Sequence, residues 1–587
     1  MSTPSYPLTT GEWIPVLDLH AGSIRHVGLT EALLRAHELR LAHTDPQQST
    51  VLMRLLLALY DAAAGPVDTD DWHTAWEAPT LDRDGRVRDY LDRWEDRFDL
   101  YHPERPFAQC GHLTEYRRTP DVLDPAYIGG SEWFNASLRD PSTYPAPDGA
   151  TAAMNLLVLL GYDVAGIKGA PGGGKTFGAK VGPCGWLPQL FVPGATLKDS
   201  ILLTLPPQPR ADGDAPAWER DCPPPGVVTR TPTGRLDWLT WPSRRVRLHA
   251  RPDGHVDALA WHDGDRLDGG AAVSAPLDPM ALWRTSAKGN PTGVTSFDDH
   301  FGRPVPWRVA QLLHSAAGLT GRCTALTHAA DSLRRLVDQD RVPADQWLTV
   351  RVTSAVYGTH MSVLRDVRDG EIPLGPVRLY QAGDATARRF GIALQATAHS
   401  LLLARRAVTA AYPVVNDAAD RLFLDPLSVD EAWRQLLREL SSLPTDADAD
   451  GAADLQYGRG DALGVCLRFG RVIIDLLGKA AERLPRLSPF AQAEFQRTLS
   501  TLIRLYRASP DEAEQDVVEQ ATGAPADRGG RPAQTYTLDG VSKSLTQWAQ
   551  DPMCVVSQPT LRARVADGWP LREALTSPRR AARPTST

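Results

Sequence analysis

Gly169-Ala-Pro-Gly-Gly-Gly-Lys-Thr176 matches the phosphate-binding pattern G-x-x-x-x-G-K-[ST] at every fixed position, and its flanks decide how the chain folds there. Such a loop needs a buried strand before it and a helix directly after it. Backbone N–H groups, the helix N-terminus, Lys175 and Thr176 then converge on the phosphates and their Mg²⁺. Upstream, Met154-Asn-Leu-Leu-Val-Leu-Leu160 is apolar enough for the strand, but Gly161-Tyr-Asp-Val-Ala-Gly166 separates it from the loop. Downstream, Gly178, Gly182, Pro183, Gly185 and Pro188 each break or punctuate a helix. An apolar run ending in Asp, which would hold the metal, is not evident, because Asp199 lies in the polar start of Leu197-Lys-Asp-Ser-Ile-Leu-Leu-Thr204. The pattern is present and its strand–loop–helix setting is not. A glycine-dense loop with Lys168, Lys175 and Lys180 is instead suited to lie close against a nucleic-acid backbone.

The 587 residues imply two or more domains with substantial cores, and 42% apolar content with mixed charge reads as globular and soluble. No apolar run approaches the ~20 residues that span a bilayer, and Met-Ser-Thr-Pro-Ser-Tyr-Pro lacks a signal peptide's basic and apolar regions. A cytoplasmic protein without a membrane partner is expected. The six cysteines, at 110, 184, 222, 323, 466 and 554, show no C-x-x-C spacing, so neither zinc nor a disulfide framework is expected. A net charge of −8 argues against coating nucleic acid by bulk electrostatics and leaves only local basic patches.

Trp13-Ile-Pro-Val16 reads as a short strand, Leu29–Leu41 as an amphipathic helix and Thr50–Ala63 as a more apolar one. From about 65 to 380 the pattern is irregular. Within it Arg235-Leu-Asp-Trp-Leu-Thr-Trp-Pro-Ser-Arg-Arg-Val-Arg-Leu248 reads as two strands. His262, Asp263 and Asp265 have no partner histidines at useful spacing and read as a hairpin turn, as do Asp299 and His300. Helical periodicity returns in Thr386–Ala410, Ser428–Leu440, Ala462–Leu484 and Pro489–Arg507, which predicts a four-helix bundle. Beyond an acidic, then Gly/Pro/Arg-rich linker, Ser544–Gln550 and Gln558–Ala566 read as two short helices around a turn. Residues 536–587 hold seven Lys/Arg against four Asp/Glu.

Several stretches resemble the CasA family, the large subunits of type I-E CRISPR Cascade complexes. They are Glu12-Trp-Ile-Pro-Val16 with Gly28–Glu38, Leu52-Met-Arg-Leu-Leu-Leu-Ala-Leu59, Arg105-Pro-Phe-Ala-Gln109, Leu236-Asp-Trp-Leu-Thr-Trp241 with Arg244-Arg-Val-Arg247, and Tyr357-Gly-Thr-His-Met-Ser-Val363. They occur in the family's order over about residues 11–510. The resemblance implies a non-catalytic subunit that reads the protospacer-adjacent motif of double-stranded DNA, helps open the duplex and recruits a helicase–nuclease. Its further implied partners are the backbone, small and guide-processing subunits and the CRISPR RNA. On this resemblance Gly172, Gly173, Gly174 and Lys175, with Lys168 nearby, fall where the family's glycine loop contacts DNA. The family's DNA wedge falls at Thr359, His360 and Met361, where His and Met replace the amides of relatives. Lys288 is the candidate lysine finger and Phe134 the candidate contact for the guide RNA's 5′ end. An apolar Met361 can still part a base step.

The C-terminal block resembles the helix-turn-helix modules appended to phage endonucleases, through Thr560-Leu-Arg-Ala-Arg564, Gly568-Trp569 and Ala574-Leu575. That resemblance implies DNA contact by Thr560, Arg562 and Arg564. The expected whole is an α+β protein. Residues 1–380 form an irregular mixed α/β domain, 384–510 a four-helix bundle, 511–534 a linker, 535–578 the helix-turn-helix and 579–587 a basic tail. No cofactor is expected. A P-loop ATPase using Gly169–Thr176 and a purely structural bridging subunit remain the alternatives.

Overall fold

The computed structural model describes residues 4–42, 45–124, 144–269, 274–285, 291–293, 323–343, 345–377 and 426–441, with shorter stretches at 468–469, 472, 535–538, 541–548, 553–556, 560–561, 564–565 and 569–577. The chain divides into two compact units, Met1–Val517 and Val518–Thr587.

The first unit is organised around the helix Pro46–Ala64. Asp45 caps it by accepting from the Gln48 amide, Pro46 occupies the first turn, and Leu52–Tyr60 is buried all round, as a core helix requires. Its buried Arg54 is neutralised by Asp278 and also donates to the Trp238 carbonyl (3.1 Å). Beside it runs the helix Gly149–Tyr162, capped by Asp148 through the Thr151 amide. The run Met154–Leu160, apolar enough for the strand a phosphate loop needs, is therefore helix: a run of that length fits either state, and the cap decides.

Several small sheets pack around these helices. Ile14–Asp18 is the centre of a small sheet, antiparallel to both Ser23–Val27 and Leu39–Leu41. The helix predicted over Leu29–Leu41 thus stops at Leu34, because Leu39 and Leu41 alternate with exposed Arg40 and pair with Asp18 and Val16. Trp347–Tyr357 and Leu364–Pro376 form a long hairpin, extended by Gln189–Phe191, with Leu348, Val350 and Val352 buried at period two. Arg244–Ala250 pairs with Val256–Asp263. Only this second half of the predicted Arg235–Leu248 strand pair is a strand. Arg235–Leu239 is a helical turn whose first amides, at Leu236 and Asp237, donate to Asp214 at 2.9 and 3.0 Å. The turn expected at His262–Asp265 is strand on both sides of Gly264: Asp263 ends one, and Asp265 begins Asp265–Leu267, parallel to Val228–Arg230. Both carboxylates are buried and ion-paired, Asp263 with Arg266 (2.7 Å) and Asp265 with Arg230 (2.5 Å) and Arg245.

Of the predicted bundle, Pro426–Ser441 is helical, and its buried Trp433 donates to the Pro373 carbonyl of the long hairpin at 2.7 Å. The other three predicted helices lie outside the described residues apart from Arg468, Phe469 and Val472.

In the second unit Thr535–Leu538 and Val541–Ser544 form a hairpin that the sequence reading did not anticipate. The helix Leu545–Trp548 follows, and Leu571–Thr576 packs with it through Trp548, Leu561, Ala574 and Leu575.

Candidate nucleic-acid interface

The Gly169–Thr176 octet folds as the turn of a β-hairpin. Gly166–Gly169 pairs antiparallel with Lys175–Ala179, with Lys168 opposite Thr176 and Gly169 opposite Lys175. Gly172, Gly173 and Gly174 take φ of +76°, +98° and +87°, a region that side chains other than glycine disfavour. A Cβ added at Gly172 or Gly174 would meet nothing within 4 Å, so backbone conformation and not crowding demands glycine there. The tip is exposed, and so is Lys175 at its edge. No helix leaves the loop: Lys175 begins a strand, and the Thr176 hydroxyl is turned back onto the Lys168 carbonyl (3.3 Å). Nor does the loop serve a cavity of about 400 Å³ in this unit, whose walls include Arg54, Trp218 and Cys222 but neither Lys175 nor Thr176.

A buried ionic cluster holds the base of this hairpin. Arg244, 3% exposed, pairs with Asp163 and donates to the carbonyls of Val164 (2.9 Å) and Lys180 (2.6 Å). Those carbonyls flank the hairpin on its two sides, so one planar guanidinium clamps both legs, as its fork of donors allows. Gly182 completes the closure. Its amide donates to the Asp163 carbonyl (2.9 Å), and a Cβ there would lie 2.4 Å from the Gly161 oxygen. One of the residues that breaks a helix after the loop is thus needed for the chain to return against the helix end.

Lys168 belongs to this base and not to the DNA-contacting set in which the sequence placed it. It is 5% exposed, its Nζ lies 3.1 Å from Asp163 and 4.2 Å from the centroid of Trp261, and burial pulls its ammonium below the usual lysine range against the pull of Asp163. A lysine so enclosed cannot reach a phosphate.

The expected wedge is the tip of the long hairpin. Gly358 donates to Val363 (2.8 Å) and Met361 to Gly358 (2.9 Å), and Thr359–Met361 makes a single helical turn. His360 and Met361 sit at φ +58° and +56°, consecutive left-handed residues without glycine's freedom, a strain of about 1 kcal/mol or more each. His360 is exposed and Met361 half-buried. This tip is bonded to the base of the glycine hairpin: the Ala165 amide donates to the Met361 carbonyl (2.9 Å), and the Tyr357 hydroxyl to the Tyr162 carbonyl (2.7 Å).

Lys288 lies outside the described residues, between the paired strands Trp283–Thr285 and Pro291–Gly293. Phe134 and Arg562 also lie outside them, and Thr560 is half-buried at the start of a helical stretch. Arg564 is corrected: it is 6% exposed, donates to the carbonyls of Ala574 (3.2 Å) and Ser577 (2.8 Å) and stands 4.8 Å from the Trp569 centroid. Its guanidinium is taken up in holding the second unit together. Sequence reasoning missed Arg117 and Arg118, which an isolated bridge between Arg118 and Leu259 brings to this interface. Their one sequence signal is the Arg-Arg pair itself, in a stretch without periodicity.

Residues 7–456 match the family described as CRISPR-associated protein Cse1. The chain is 38% identical over 394 residues to a CRISPR-associated protein CasA/Cse1 of Thermus thermophilus, covering 64% of this chain and 72% of that one. It superposes on the structure of Thermus thermophilus CasA (Cse1) with a TM-score of 0.61 at 27% identity, over 84% of this chain and 99% of that chain. It also shares its fold with a chain of a CRISPR RNA-guided surveillance complex, with a TM-score of 0.62 at 20% identity over 85% of this chain and 100% of the other. With the family match spanning most of its length, the chain belongs to the Cse1/CasA family of CRISPR-associated large subunits.

Proposed function

We propose that this chain is the large subunit of a type I-E Cascade. It reads the protospacer-adjacent motif in double-stranded DNA, assists duplex opening and R-loop formation and recruits the helicase–nuclease. In this reading it is not an enzyme, and its partners are the backbone, small and guide-processing subunits and the CRISPR RNA. Membership of an RNA-guided surveillance complex by a chain of the same fold supports that setting.

The observation that carries the reading is the exposed three-glycine tip on a buried ionic base. A minor groove about 6 Å wide admits bare backbone, which reads mainly A·T against G·C. Lys175 supplies a phosphate contact, and His360 with Met361 stands where a wedge would enter a base step. The second unit adds a DNA contact through Thr560 and Arg562.

The test is the assembled complex with guide RNA, offered target DNA with a randomised motif. Replacing Gly172–Gly174 with bulky residues is expected to abolish motif preference while the complex still assembles. Impaired assembly, with the complexes that do form keeping their motif preference, would replace this reading with a bridging role. Phosphate release from ATP that Lys175→Ala abolishes would replace it with a hydrolase.

A further inference from the structure

Beside the glycine hairpin lies a pair of exposed cations that neither the family resemblance nor the octet accounts for. The segment carrying Arg117 and Arg118 is held by reciprocal hydrogen bonds between Arg118 and Leu259, 3.0 and 2.9 Å. Leu259 lies on Val256–Asp263, the strand that backs the glycine hairpin. Its His262 Nδ1 would lie 3.4 Å from a Cβ on Gly169. Backbone pairing therefore fixes the two arginines relative to the loop. Arg117 Nη1 would lie 3.9 Å from a Cβ on Gly173, at the tip itself. Arg118 stands 5.7 Å from the centroid of Trp261, the ring that also receives Lys168.

The two guanidinium groups are available for binding. Arg117 is 62% exposed, and its ion pair is with Glu115 at 2.7 Å, itself 45% exposed. Such a pair contributes little in water and can be exchanged for a phosphate. Arg118 is exposed and has no ion pair among the described residues. The chain carries a net charge of −8, so three exposed cations (Arg117, Arg118 and Lys175) around one bare loop do not follow from a basic composition. A backbone tip entering a groove brings its neighbours against the strands that border the groove. There Arg binds phosphate oxygens in bidentate fashion and fixes orientation without reading sequence.

We propose that Arg117 and Arg118 form a phosphate clamp that seats duplex DNA on the glycine hairpin. The inference rests on the reading of that hairpin as the motif reader. Lys175 and the arginine pair hold the bordering strands while the glycines enter between them. The same phosphate chemistry would suit the guide RNA. The clamp is assigned to DNA because it borders the glycine tip.

The experiment compares the assembled complex with Arg117→Ala/Arg118→Ala and Glu115→Gln versions, measuring affinity for target duplex across a salt series together with guide RNA content. For the double variant we expect about tenfold weaker binding on every motif sequence alike, and a slope of log K against log salt shallower by about two, one for each phosphate no longer neutralised. Glu115→Gln, which frees Arg117, is expected to tighten binding a few-fold at low salt. Guide RNA content stays unchanged in all of them. An unchanged affinity and slope in the double variant overturns the clamp, and loss of guide RNA moves it from DNA to RNA. A parallel Gly173→Leu complex separates the two ideas: if it loses motif preference while the arginine variant binds normally, the clamp fails and the reader stands. If Gly173→Leu keeps its preference, the reader itself fails.

Discussion

The amide of Ala165 donates to the carbonyl of Met361 across 2.9 Å, joining the base of the glycine hairpin to the tip of the long hairpin. These are the two elements that the family resemblance assigns to motif reading and duplex opening, nearly 200 residues apart in sequence. The second tie, from the Tyr357 hydroxyl to the Tyr162 carbonyl, joins residues a few positions before Met361 and Ala165 in each segment. Movement of one tip must strain or break these bonds before it can leave the other behind.

Tyr357→Phe removes the second tie and leaves the Tyr162 carbonyl without that donor. The expected cost is about 1–2 kcal/mol, most of it local. Hydrogen exchange at the Ala165 and Met361 amides should accelerate by about tenfold. Unchanged protection at both would show that the tips are held independently of Tyr357.

Lys168 and Lys175 share one hairpin and should respond oppositely. Lys175→Ala is expected to weaken DNA binding and lower the salt slope by about one, with stability unchanged. Lys168→Met removes the ammonium beside Asp163 and the Trp261 ring, so it should destabilise the fold while leaving the slope alone. Arg244→Met is more severe, since it strips Asp163 of its buried guanidinium, and about 3–5 kcal/mol is expected. Denaturant melts and salt-dependent binding curves on the same variants decide the matter.

Substitutions at Gly172 should rank by backbone tolerance. At φ +76° Asn is accepted better than Ala, and Ala better than Val, with about 1–2 kcal/mol of strain for an ordinary side chain. Because a Cβ there meets nothing within 4 Å, the ranking should follow conformation and not size. Denaturation midpoints of the three variants should fall in that order.

The core helix was legible from its leucines over Thr50–Ala63, though it begins at Pro46. The absence of a helix after Thr176 was legible from the residues that break one, but the hairpin that the octet turns was not. What misled were residues whose partners are distant in sequence. Arg244 looks like one of a run of surface cations, yet the carboxylate that fixes it, Asp163, is 81 positions away. Lys168 stands in the sequence beside glycines and other lysines, and only the fold brings Trp261 over it. Asp263 and Asp265 flank Gly264 as turn residues do, but arginines from several strands draw both inward. Burial of a charge depends on its pairing, and pairing is not written locally.

Acid should weaken the first unit through His328. This residue lies on the helix Thr324–Asp338, with Nε2 2.9 Å from the Leu202 carbonyl and the Trp72 ring edge-on at 5.4 Å. Burial pushes its pKa down to about 4, below the unfolded value near 6.5. The unfolded chain therefore binds the extra proton first. Stability from this site is complete above about pH 6.5 and is lost as pH falls towards 4, a loss on the order of 3 kcal/mol. His328→Gln should flatten the pH dependence of the denaturation midpoint over that window. A curve parallel to that of the unsubstituted chain would place the acid sensitivity elsewhere.

Arg564 gives the sharpest contrast between the two readings of the C-terminal unit. As a DNA contact, its removal would leave the unit folded and reduce the salt slope of binding. As the structure has it, the guanidinium donates to Ala574 and Ser577 at the end of Leu571–Thr576 and lies on Trp569. Arg564→Ala then leaves buried carbonyls without that donor, and about 2–3 kcal/mol is expected from the charged hydrogen bonds and the missing packing. Amides of 569–577 in the full-length chain should lose most of their exchange protection. Arg564→Lys should restore little of it, because a single ammonium cannot reproduce the planar fork that spans both carbonyls and the ring. Retained protection in Arg564→Ala, with a shallower salt slope, would return this residue to the DNA surface.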